Sequence, residues 1–335
     1  MLTDFNAMVK RVPISDLRVG MYVILDLAWY EHPFLKNEFR LSSPSEIEKI
    51  KNLGLMEVMI DERRSAMAGE VMRALEEETR LNGEAEPTID TSVLFDVLKD
   101  KSAEPEKKAC LIRKHSTQIM QKLFEEPSPA NIKELKKVAA GIVDFILRDA
   151  KTTFYLVSMT NFDFTTYNHS VNVGFLAIAL AKSTLGNAPH HNLHEIGAGF
   201  FLHDIGKVKI DSAIIQKPAP LTEEETLKMR RHPQLGLKIL HETGFATAEA
   251  KTIVMQHHER MDGTGYPKGL RGEDIHAYAK VCTVADVFDA LTSRRPYRDP
   301  LSTFEALKLM RDEMVPHHIE QKLFEQFVLL FKPPE

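Results

Sequence analysis

The sequence predicts a mostly α-helical protein: an all-α bundle preceded by a small α+β domain. Three observations carry this reading. From Leu111 onward apolar residues recur at helical spacing, and from Asn168 nearly every segment keeps that pattern. Short runs of strand character are confined to the first 65 residues. The 335 residues suffice for two domains, one of them with a sizeable core.

Residues 21–25 and 55–60 read as strands, and 43–53 as a short helix with Ser43 and Ser45 as caps and Ile47 and Ile50 on one face. Residues 1–65 are therefore a small α+β N-terminal domain. Residues 66–139 read as linker and connecting helices. Within them 76–90 is acidic and broken by Asn82-Gly83 and Glu86-Pro87, and 99–108 is charged around Pro105; 72–79 is compatible with a helix. Ile112, Ile119, Met120 and Leu123 fall near one helical face, and a second helix spans about 130–150.

Residues 140–335 form the main helical domain. The run 169–183 mixes apolar and small residues, which suits a helix buried on all sides. The helix 193–202 leads directly into His203 and Asp204. Thr222 and Glu225 form a capping box, and 277–293 is an apolar helix carrying Asp286.

Charge excludes one class of partner. With 43 basic and 48 acidic residues the formal net charge is −5, so a nucleic-acid polymer is not expected, whereas a small anion held by metals and a few arginines is. Cys110 and Cys282 lie outside any CxxC pattern and read as reduced thiols of a cytoplasmic protein. No apolar run reaches the roughly 18 residues of a membrane span, and the first residues do not form a signal peptide.

The chemistry concentrates in four places: His203-Asp204-Ile205-Gly206-Lys207, His232-Pro233, the stretch 257–267 (HHERMDGTGYP), and Ala285-Asp286. A carboxylate has two oxygens and can bridge two cations, while imidazoles complete each shell. A set this rich in nitrogen suits iron, manganese, zinc, cobalt or nickel better than magnesium or calcium. Two such ions at about 3.5–4 Å would polarise a phosphate and generate a hydroxide nucleophile at neutral pH. Each piece alone has an ordinary explanation as a salt-bridged, capping or surface group; the combination does not.

With these motifs the chain from about residue 140 to 335 resembles the HD-GYP domain, a branch of the HD phosphohydrolase superfamily. The signature stands as HDIGK at 203–207 and HHERMDGTGYP at 257–267. The resemblance implies an all-α bundle with a binuclear or trinuclear metal centre, and hydrolysis of bacterial cyclic dinucleotides, chiefly cyclic di-GMP, with some members acting on cyclic GMP-AMP. It implies His169, His203, Asp204, His232, His257, His258 and Asp286 as metal ligands. Asp204 and Lys207 would be catalytic, with Lys207 facing the scissile phosphate. Arg295 and Arg298 occupy the places of basic residues that contact substrate, and an arginine fork suits phosphate or guanine. Gly265 and Tyr266 belong to the loop beside the site, which is also thought to touch substrate or partner signalling domains.

Members with three metals carry a glutamate four residues before the first ligand histidine. Position 165 is threonine here, so a binuclear centre is expected, with iron or manganese first among the metals. Asp289 reads as a brace for its helix end rather than as a ligand. Residues 12–23 resemble the start of a small domain of unknown function that often precedes HD-GYP domains, and a homodimer through the helices before His169 is compatible with the pattern. Two alternatives stand beside this reading. A generic HD nucleotide phosphohydrolase would not need Tyr266 or the Arg295/Arg298 pair. A non-hydrolysing cyclic-dinucleotide receptor would not need all seven ligands.

Overall fold

The computed structural model describes residues 9–27, 37–41, 44–61, 65, 89–159, 165–185, 191–294 and 299–334. The chain divides into two compact units, Met1–Pro87 and Thr88–Glu335.

The first unit is built on an antiparallel sheet of β1 (Val9–Pro13), β2 (Tyr22–Ile24), β3 (Glu38–Arg40) and β4 (Glu57–Asp61), in the order β1-β4-β2-β3. Val23 sits opposite Ile60 on one side and Phe39 on the other, which fixes the register of the central pairs. Alternation places Val12, Val23, Val58 and Ile60 in a core with Leu25, Leu41 and Ile50, the last from the Pro44–Lys51 helix. The two central strands are the two that the sequence pattern identifies. The two edge strands escape it for a physical reason. β1 buries only Val12 and ends in Pro13, and β3 has three residues. The readings for Ser43, 72–79 and 76–88 fall outside the described residues.

In the second unit, the helices Ser92–Lys99, Pro105–Glu125, Pro129–Arg148 and Ala150–Ser158 share one core with Thr166–Thr184, Leu193–Leu202 and Ala277–Thr292. The Pro105–Glu125 helix begins six residues before the periodic pattern becomes visible, because Pro105 fills a first-turn position where no amide is needed. Thr166–Thr184 is the centre of the bundle, with every residue from His169 to Ala181 buried. Its even apolarity follows from having neighbours on all sides. The Gln321–Leu329 helix closes the far side, where Phe327 meets Phe288 edge to face at 5.2 Å. Among the described residues no helix is long and apolar enough to cross a membrane.

Candidate metal centre

Helix ends deliver most of the histidines. Thr165 caps the Thr166–Thr184 helix by accepting a hydrogen bond from the Asn168 amide, which sets His169 in the first turn. His203 closes Leu193–Leu202, and Asp204 starts the 3₁₀ turn Ile205–Lys209. His232 opens the His232–Glu242 helix. His257 ends Ala248–Gln256 and is followed by His258. Asp286 projects from the middle of Ala277–Thr292.

These seven residues meet around Asp204. Its Oδ2 lies 3.5 Å from Nε2 of both His169 and His203. Its Oδ1 lies 3.3 Å from His232 Nε2 and 3.8 Å from His257 Nε2. Asp286 spans the same two sides, with Oδ1 3.0 Å from His169 Nε2 and Oδ2 3.6 Å from His258 Nδ1. Two overlapping groups that could hold a metal ion result, His169-His203-Asp204 and Asp204-His232-His257-His258, with Asp204 common to both.

The far nitrogens of the imidazoles are committed elsewhere. His169 Nδ1 donates to Asp289 Oδ2 at 2.7 Å. His203 Nδ1 donates to the Phe200 carbonyl and His232 Nδ1 to the Met229 carbonyl, both at 2.8 Å. His257 Nδ1 lies 3.0 Å from the Val254 carbonyl. Holding a proton on Nδ1 turns the Nε2 atoms of His169, His203, His232 and His257 toward Asp204, the orientation that metal-binding imidazoles require.

Electrostatics agree with this geometry. Burial would depress the His169 imidazole, but hydrogen bonds to Asp286 and Asp289 outweigh it and raise the group to about 9. Burial lowers His203 and takes His232 down to about 3. Burial opposes ionisation of Asp204 and Asp286, yet Lys207 and the imidazoles hold Asp204 well below the ordinary carboxylate range, and the His169 hydrogen bond does the same for Asp286. Asp204 Oδ1 is buried with no hydrogen-bond partner. An ionised oxygen left so among imidazole nitrogens is costly unless a cation completes it, so the residues fit a divalent transition metal.

Lys207 Nζ is 2.5 Å from Asp204 Oδ2, at the edge of the centre. Tyr266 stacks on His258 with ring centroids 4.6 Å apart, and the Arg230 guanidinium lies 5.1 Å from the Tyr266 ring centre. A Cβ on Gly265 would stand 2.5 Å from the His258 carbonyl oxygen and from the Arg260 nitrogen, so only glycine lets the loop turn back on the histidine pair. Arg295 and Arg298 lie outside the described residues. Three other histidines face other groups: His191 pairs with Tyr278, His194 with Asp144, and His318 with Asp262.

Two residues matter here that motif reading alone does not find. Asn172 donates to Asp289 Oδ1 at 2.7 Å and completes the cradle for His169. A polar residue three positions after His169, in an otherwise small and apolar run, is the signal available in the sequence. Glu259, buried beside the histidine pair, accepts from the amides of Lys268 and Leu270 at 2.8 and 2.9 Å and fastens the glycine-rich loop. Asp289 braces His169 as well as its helix end, where it accepts from Ser293.

A family profile described as HD domain matches residues 153–323, just over half of the chain. The chain belongs to the HD domain family. The motifs HDIGK and HHERMDGTGYP place it in the HD-GYP branch. A second profile, a domain of unknown function called DUF3391, matches residues 9–137. A cyclic di-GMP phosphodiesterase of Pseudomonas aeruginosa is 32% identical over 327 residues, covering 96% of this chain and 76% of that one. A 3′,3′-cGAMP-specific phosphodiesterase of Vibrio cholerae is 32% identical over 198 residues, 59% of this chain and 42% of that one. Among solved structures, an HDG“Y”P protein from Bdellovibrio bacteriovorus superimposes with a TM-score of 0.60 at 22% identity, over 95% of this chain and 98% of that one, and so shares the fold.

Proposed function

We propose that this HD-GYP protein is a metal-dependent phosphodiesterase that opens a bacterial cyclic dinucleotide, cyclic di-GMP or 3′,3′-cyclic GMP-AMP, to the linear dinucleotide. The observation that carries the reading is the placement of Asp204, whose two carboxylate oxygens face different imidazole sets. Relatives named as phosphodiesterases for each of these two substrates support the substrate class.

In this reading His169, His203 and Asp204 hold one metal and Asp204, His232, His257 and His258 the other, with Asp286 reaching both sides. Iron or manganese suits the donors, and two ions rather than three suit a helix capped by Thr165 where a carboxylate would be needed. When bound, such ions polarise a phosphoryl oxygen and lower the pKa of water toward neutrality. The chain's own residues do the rest. Asp204 fixes the two sides in one register, and the carbonyl- and Asp289-bound Nδ1 atoms prevent the imidazoles from turning. Lys207, partly buried beside Asp204, supplies positive charge where the phosphate gains negative charge during attack. The stacked His258–Tyr266 pair forms one wall, and Arg295 and Arg298 are assigned to the substrate phosphates or purines. Water adds to phosphorus, one ester P–O bond breaks, and the departing sugar oxygen takes a proton.

The test is product analysis by mass spectrometry. Protein reconstituted with Mn(II) or Fe(II) receives equal cyclic di-GMP and cyclic GMP-AMP in one tube, with Asp204→Ala in parallel. Linear dinucleotide from at least one substrate, absent in the variant, is the expected outcome. Metal-loaded protein that binds both and converts neither would replace this reading with that of a receptor.

A further inference from the structure

We propose that Arg113 is a positioning residue for His169, acting through Asn172 and Asp289, so that the metal centre depends on a helix that precedes the HD-domain match. The inference rests on the reading of His169 as a metal ligand. Arg113 belongs to the Pro105–Glu125 helix, inside the segment matched by the DUF3391 profile and well before residue 153, where the HD profile begins.

The contacts run in one direction. Arg113 Nη2 donates to the carbonyls of Leu156 and Met159, at 2.6 and 2.9 Å, at the end of the Ala150–Ser158 helix. Its Nη1 donates to the side-chain oxygen of Asn172. Asn172 Nδ2 donates to Asp289 Oδ1, and Asp289 Oδ2 receives the His169 Nδ1 proton, both at 2.7 Å. Burial lowers the Arg113 guanidinium to about 10, so it stays charged at neutral pH.

Donor chemistry makes this chain unambiguous. A guanidinium has donors only, so Asn172 must present its oxygen to Arg113 and its NH₂ to Asp289. A carboxylate has acceptors only, so the proton between Asp289 and His169 belongs to His169 Nδ1. The imidazole is then left with Nε2 for the centre, 3.5 Å from Asp204 and 3.0 Å from Asp286. Without Arg113, Asn172 is held by Asp289 alone, and its buried oxygen loses its charged donor, which loosens the carboxylate that orients His169. The interactions are largely buried: Asn172 and Asp289 are 4% and 3% exposed, and Arg113 Nε is shielded from solvent. In such surroundings an unsatisfied or repulsive contact is not relieved by water.

The experiment uses the full chain. Wild type, Arg113→Met, Arg113→Lys, Asn172→Leu and the Met/Leu double variant are dialysed to equilibrium against Mn(II). Bound metal is counted by elemental analysis, and the metal-free forms are melted as a control. Asn172→Leu leaves Arg113 free to hold the Leu156 and Met159 carbonyls, so it breaks the relay without uncapping that helix. The expected result is a loss of Mn(II) affinity of about tenfold or more in Arg113→Met and in Asn172→Leu. The double variant should lose no more than either, and Arg113→Lys should recover part of the loss. Affinities within about twofold of wild type in both single variants, or losses that multiply in the double variant, would overturn the relay. Should Arg113→Met not fold, Asn172→Leu and Arg113→Lys alone decide it: a wild-type affinity in Asn172→Leu overturns the proposal. Wild-type protein that binds no Mn(II) would instead refute the metal-centre reading.

Discussion

Gly206, in the HDIGK run, is where the centre is most exposed to a single added atom. A Cβ there would lie 1.9 Å from the His232 carbonyl oxygen and 2.5 Å from the Gly236 nitrogen. Both obstacles are backbone, so no side chain can swing away. Restoring van der Waals contact requires the Asp204-bearing turn and the His232–Glu242 helix to part by roughly 1.5 Å. His232 Nε2 is only 3.3 Å from Asp204 Oδ1, whereas metal–ligand bonds tolerate about 0.2 Å of misplacement. Gly206→Ala should therefore lose the metal on the His232 side while keeping the fold. Overpacking of this kind costs about 1–3 kcal/mol, which for a unit of this size lowers the melting temperature by roughly 2–12 °C. Hydrolysis should fall about 100-fold or more, since a displacement of about 1 Å already has that effect. Elemental analysis, a melting curve and a product assay on one preparation read all three quantities. A variant with full metal content and wild-type turnover would refute the packing argument.

Four further outcomes follow from the same structure. Asp204→Asn replaces one of the two oxygens that face the separate imidazole sets and removes the carboxylate charge, and it should abolish metal binding and hydrolysis while the protein remains folded; retained metal would contradict the bridging role. Glu259→Gln weakens charge-assisted bonds worth about 1.5–3 kcal/mol, so the amides of Lys268 and Leu270 should exchange with deuterium at least about tenfold faster, and unchanged exchange would show that the loop is fastened elsewhere. The metal-free protein should lose stability on both sides of the ordinary histidine range, as followed by melting across pH. His203 and His232 are depressed, so the unfolded chain takes up their protons first and stability falls as pH drops from about 6.5 toward 3. His169 is raised, so its contribution is complete below about 6.5 and is lost as pH rises through about 9; a flat acid or alkaline limb would be inconsistent with those environments. A thiol reagent should modify Cys110, which is exposed, and spare Cys282, whose thiol burial pushes well above its usual range; two reactive thiols in the native protein would contradict the packing around Ala277–Thr292.

Much of the centre was legible because its residues announce their chemistry in adjacent pairs. His203-Asp204 and His257-His258 are unusual as neighbours, and both fall at helix ends, where the chain can turn them inward. His169 was legible only through family resemblance. It stands alone in the sequence, and nothing local shows that the first turn of Thr166–Thr184 faces Asp204. Arg113 was not legible at all: on its own helix it sits beside the buried Ile112 in a pattern explained by amphipathicity, and its partners lie 43 to 59 residues away. Asp289 shows the same limit from the other side, since a carboxylate three residues after Asp286 gives no hint that its partner lies 120 residues upstream. In the N-terminal sheet, periodicity found the strands with two neighbours and missed those with one, because an edge strand need not bury alternate side chains.

The central claim is that Asp204 joins two metal positions. Crystals grown with Mn(II), measured near the manganese absorption edge, test it most directly. Two anomalous peaks are expected, one beside Oδ2 among His169 and His203 and one beside Oδ1 among His232, His257 and His258, with both lost in Asp204→Asn. A single peak on one side, or two peaks that persist in the variant, would contradict it.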